Sequence, residues 1–82
     1  MEITVRFTNV YDGGEHVHDE TLVVPAPAAE DFDNEFEEWS DDNLFPHTGD
    51  GNATDRDATY YADVLACASC PDLQGREFTW GI

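Results

Sequence analysis

Lysine is absent from this 82-residue chain, and arginine occurs three times, as Arg6, Arg56 and Arg76. Phosphate backbones are held by clustered Lys and Arg, so direct binding of nucleic acid is not expected. An anionic membrane surface is excluded on the same ground. No apolar run approaches the roughly 18–20 residues of a membrane-spanning helix. Two cysteines are too few for the disulfide framework of a small secreted domain. Met1-Glu2-Ile3-Thr4-Val5-Arg6 alternates like a strand and lacks the basic start and apolar run of a signal peptide, so a soluble, cytoplasmic protein is expected. No glycine-rich phosphate loop precedes a helix, and His47 beside Thr48 is ordinary loop chemistry. Carboxylates are so numerous that no pair is marked as acid and base. The sequence therefore predicts neither an enzyme nor a cofactor.

What the chain has in abundance is negative charge. Nineteen Asp and Glu give a net charge of −16, while 40% apolar and 12% aromatic residues suffice for one small core. The length predicts a single domain over residues 1–82. Ile3, Val5 and Phe7 alternate with Thr4, Arg6 and Thr8, which predicts a strand with one buried face. Asp12-Gly13-Gly14 signals a turn, and Val17 to Val24 reads as a second strand, completing an antiparallel hairpin. Pro27-Ala28-Ala29 opens a helix in which Phe32, Phe36 and Trp39 fall at i, i+4 and i+7. Asp41 and Asp42 oppose the helix dipole, so the helix is expected to stop near Ser40. Residues 46–57 read as the longest loop and Ala58 to Ala66 as a strand. Cys70 to Gly75 reads as one helical turn closed by glycine, and Arg76 to Ile82 as a strand with Phe78, Trp80 and Ile82 on one face. The expected architecture is α+β, in the order β-β-α-β-β: a four-stranded, mostly antiparallel sheet with one acidic amphipathic helix on one face. The other face is expected to carry leftover aromatics and to offer a surface for a homodimer.

Part of the C-terminal half is similar to known proteins in texture. Leu44-Phe45, Thr48-Gly49-Asp50-Gly51, Ala58-Thr59-Tyr60, Pro71-Asp72-Leu73 with Gly75, and Phe78-Thr79-Trp80-Gly81 resemble small uncharacterised acidic proteins of actinobacterial phages. The resemblance implies a phage setting and carries no site residues with it.

Glu30, Asp31, Asp33, Glu35, Glu37, Glu38, Asp41 and Asp42 crowd into thirteen residues, about 20 Å of helix. That is one charge per roughly 2.4 Å, against about 1.7 Å along duplex DNA. Such an array predicts occupancy of a basic DNA- or RNA-binding surface on a host protein, an inhibitor acting as a nucleic-acid mimic. Two alternatives follow from the same composition. The acidity could serve solvation in molar salt, where the Debye length is about 3 Å and self-repulsion is screened. Cys67-Ala68-Ser69-Cys70 is half of a zinc site, which His16 and His18 on one strand face could complete; its redox reading lacks the βαβ context. Asp50 to Tyr61 fails the EF-hand pattern at its glycine and its final glutamate. Asn52-Ala53-Thr54 matches a glycosylation acceptor without a signal peptide to use it.

Overall fold

Apolar residues at every second position of the first strand create a buried row and fix the register of the sheet built on it. The computed structural model describes residues 1–11, 14–48 and 58–81. Strands β1 (Glu2–Tyr11), β2 (Gly14–Val23), β3 (Ala58–Ala66) and β4 (Glu77–Gly81) form one sheet in the order β2-β1-β3-β4, with every neighbouring pair antiparallel. The α+β class holds. The expected turn at Asp12-Gly13, most of the long loop and Ile82 lie outside the described residues.

Residues directly opposite in an antiparallel pair share a face, so the register sorts every side chain. Ile3, Val5 and Phe7 of β1 are buried, with Leu22 from β2 and Ala62 and Val64 from β3 on the same side. Phe36, Trp39, Leu44, Cys67, Cys70 and Leu73 close over them to complete the core. Phe78 and Trp80 pair with Ala62 and Tyr60, which puts both on this covered side. Aromatics were expected on the open face; of the strand aromatics there, only Tyr61 is present, because the β4 register sends the others inward.

The single acidic helix is not observed. Two short helices, α1 (Ala29–Asp33) and α2 (Glu37–Asn43), are separated by a turn at Asn34-Glu35-Phe36. In one continuous helix Asp31 and Glu35, then Asp33 and Glu37, would add two like-charge i, i+4 pairs to the Glu37–Asp41 and Glu38–Asp42 pairs that α2 already holds. The chain instead ends α1 with a Schellman closure: the Phe36 N–H donates to the Asp31 carbonyl at 2.8 Å while Glu35 adopts φ 58°. Phe36 is also left-handed, at φ 64°, and this second twist drives its ring into the core at 1% exposure. Phe32, expected beside it, stays 43% exposed and meets Phe36 edge-on at 4.8 Å. The second helix runs past Ser40 to Asn43, with the Asn43 side-chain amide donating to the Trp39 carbonyl at 2.9 Å.

Glycine normally occupies the position held by Glu35, since a left-handed residue with a Cβ costs roughly 1–2 kcal/mol and glycine does not. Glu35→Gly is expected to stabilise the fold by about 1 kcal/mol, read from the urea midpoint. The net gain is smaller than the strain removed because glycine also enlarges the unfolded ensemble.

Two indoles fasten the helical layer. Trp39 donates to the Pro25 carbonyl at 3.0 Å, and Trp80 donates to the Asp41 carboxylate at 2.6 Å. A 3-10 turn at Phe45–His47 sets Phe45 against Tyr60 and Trp80, with ring centroids 6.1 and 5.3 Å away. A second 3-10 turn, Pro71–Leu73, buries Leu73 and ends at Gly75, whose φ of 86° lets its N–H reach the Val64 carbonyl at 2.9 Å.

Candidate functional site

Break and twist between the helices decide where the acids go. With Phe36, Trp39 and Ser40 turned inward, α2 presents carboxylates on both flanks. Glu35, Glu37 and Asp41 border a groove of about 470 Å³ whose other wall is Arg76, Glu77, Phe78, Thr79 and Trp80. Glu30, Asp31, Glu38 and Asp42 surround a second depression of about 350 Å³ beside Trp39 and Asn34. Asp33 is exposed at the end of α1. Seven of the eight acids therefore form two walls rather than one line, with Asp33 apart from both.

Most of this charge is uncommitted. Asp31 accepts the Ala28 N–H at 2.7 Å and Asp41 accepts Trp80. Among the described residues none of the eight is in an ion pair; the pairs found are Arg6–Asp19, His18–Glu20 and His47–Glu20. Arg76 faces the first groove, yet its guanidinium lies 4.8 Å from the Phe36 ring centroid and its Nε donates to the Asp72 carbonyl at 3.0 Å. Arg76, Trp80 and Glu77 were not read from the sequence as site residues, although Trp80 was placed on a strand face with Phe78 and Ile82. The alternation from Arg76 to Trp80 carried the signal that the first two share a face.

The open face carries a different charge pattern. Across the four strands Asp19, Arg6, Asp63 and Glu77 stand in one row. Arg6 holds Asp19 by two bonds, Nε–Oδ1 at 2.8 Å and Nη2–Oδ2 at 3.1 Å, which lowers the Asp19 carboxyl below its usual range. Asp63 and Glu77 are like charges directly opposite, an unfavourable cross-strand pair. Their shared hydrogen bond and mutual repulsion raise the Glu77 carboxyl above its usual range.

These two shifts act on stability with opposite signs. Glu77 favours the fold while protonated, so its contribution is present at low pH and lost as pH rises through its raised range. Asp19 contributes above the ordinary carboxylate range, and that contribution disappears as pH falls through its lowered range. In thermal melts at pH 7, Glu77→Gln is expected to raise Tm and Asp19→Asn to lower it. Both differences are expected to shrink as the pH is brought toward 3.

His16 and His18 lie on the covered side of edge strand β2, opposite Asn9 and Phe7. Cys67 and Cys70 are buried at the other end of the sheet, just beyond Ala66, which pairs with Thr4. From this register Cys67 and His18 are about 13 Å apart along the strands and about 10 Å across them. The structure does not bring the four zinc-ligand candidates together, and among the described residues no group of three or more His, Cys, Asp or Glu is placed to hold a metal. Cys67 Sγ instead meets Met1 Sδ at 3.9 Å. His18 stacks on Phe7 at 5.4 Å, and Glu20 sits 3.7 Å from His18 and 3.4 Å from His47. The calcium-like and glycosylation patterns of Asp50 to Asp57 lie outside the described residues.

No family model, curated protein or solved structure matches the chain. Among the described residues no helix is long and apolar enough to cross a membrane.

Proposed function

We propose that this chain is a small acidic inhibitor that binds the basic nucleic-acid-contacting surface of another protein and excludes the nucleic acid. The observation that carries the reading is the set of carboxylates on α1, α2 and their connecting turn: eight in number and, among the described residues, none ion-paired and only two engaged in side-chain hydrogen bonds of the fold. Dimensions support it. The chain measures 38 × 22 × 18 Å, and a duplex as long as the first axis carries about 22 charges, comparable with a net −16. Steering by such a field speeds encounter with a basic cleft, and occupancy then competes with DNA or RNA. In the phage setting that the C-terminal resemblance implies, the target is a host protein in the cytoplasm.

Capture from a host lysate at low salt, repeated at about 0.5 M salt, tests the reading. Recovery of a nucleic-acid-binding protein that added duplex DNA displaces, and that is lost at high salt, supports it. Recovery unaffected by both DNA and salt contradicts it.

A second reading, acidity as adaptation to a salt-rich cytoplasm, has the Asp63–Glu77 pair in its favour, because salt weakens repulsion between exposed like charges. It differs in expecting no specific DNA-displaceable partner, together with a fold that tightens as salt approaches molar concentration.

A further inference from the structure

We infer that the open edge of β4 accepts an extended, Lys- or Arg-bearing segment of the partner as a fifth strand, seated against the acidic groove. The inference rests on the proposed function and specifies how the basic partner is held. β4 is a terminal strand of the sheet. The Val64 N–H donates to the Arg76 carbonyl at 2.9 Å, and ladder bonds alternate along an antiparallel pair. The backbone N–H and C=O groups of Glu77 and Thr79 therefore point away from β3, a template for a further strand.

Side chains of an added strand alternate between the two faces. On the covered side they meet the groove walled by Glu35, Glu37 and Asp41 and floored by Phe78 and Trp80. The floor suits the aliphatic stem of Lys or Arg and the wall suits its charged head. On the open side the strand extends the row Asp19, Arg6, Asp63, Glu77. A cation placed next to Glu77 would relieve the like-charge pair that ends that row. At the opposite edge two of the acids are already engaged: Glu20 is flanked by His18 and His47 on the covered side, and Asp19 is held by Arg6 on the open side.

The test uses an acetylated, amidated octalysine peptide, which presents lysine to both faces of the sheet, followed by calorimetry and by amide hydrogen exchange. Saturating peptide is expected to slow exchange at Glu77 and Thr79 at least tenfold. Replacing its lysines with threonine, or N-methylating the backbone amides of one edge, is each expected to weaken binding at least tenfold. Thr79→Pro, which removes an outward N–H on an edge strand, is expected to do the same. The N-methylated peptide gives that answer without altering the protein. Absence of binding, equal affinity for the N-methylated or threonine peptide, or protection along β2 in place of β4 would overturn the inference. Peptide failure leaves the lysate capture to stand on its own result, whereas failed capture with β4 protection intact removes the proposed function alone.

Discussion

Reversing Glu30, Asp33, Glu37 and Asp42 to lysine together is expected to abolish DNA-displaceable capture while leaving the fold intact. Each reversal removes an attraction to the partner's cations and adds a repulsion, about 1–2 kcal/mol per position at a steered interface. Four such changes amount to a loss of more than about 1,000-fold in affinity. The fold tolerates them because none of the four is buried or paired. Glu30 and Glu37 lie in first turns, where lysine opposes the helix dipole, and Asp33 and Asp42 in last turns, where it favours it. Lysine at 37 and 42 also converts the like-charge pairs with Asp41 and Glu38 into attractive ones. Capture from lysate and circular dichroism melts, run on the same preparation, check both halves. Retained capture would place the partner elsewhere on the molecule.

The largest effect on stability is expected from Phe36→Ala. Its ring is 1% exposed in the main cluster, so truncation removes the transfer term and leaves a cavity, about 3–5 kcal/mol. A chain of this length has a stability of only about 4–12 kcal/mol, so the variant is expected to lose a large share of it and to melt well below the parent chain. Phe32→Ala, at 43% exposure, is expected to cost less than about 1 kcal/mol. Urea titrations of the two variants separate them. If the order were reversed, the Phe32–Phe36–Trp39 stripe would be packing as one regular helix after all.

That contrast also shows what could be read in advance. Period-two alternation located β1, β3 and β4, because a sheet with one covered face repeats its burial every second residue: Ile3, Val5 and Phe7 in β1, Tyr60, Ala62 and Val64 in β3. The strand β2 was legible only as a β-prone run from Val17 to Val24 after a turn signal, and it begins earlier, at Gly14, with little burial to alternate. The glycine closure at Gly75 was legible from local chemistry. The helix failed at Glu35 and Phe36, since spacing records which residues seek the core and says nothing of a left-handed break between them. Two consecutive non-glycine residues at positive φ have no sequence signature. The acids themselves were legible as a cluster, but their division between two flanks of α2 depends on that same break. Pairing of Asp63 with Glu77, and the wall that Arg76 and Trp80 contribute, depend on register across distant strands. Zinc failed for a related reason: the sequence offered four ligands, and the topology put the cysteines and histidines at different places on the sheet.

The central claim, that uncommitted carboxylates on this surface replace a nucleic-acid backbone, is tested most directly by the salt dependence of binding to the captured partner. Log affinity measured between about 50 and 500 mM salt is expected to fall linearly and steeply with log salt, as the partner's own DNA binding does. The lysine quadruple variant is expected to lose that slope together with its affinity. An affinity unchanged across this range, in a chain that stays folded throughout, would contradict the claim.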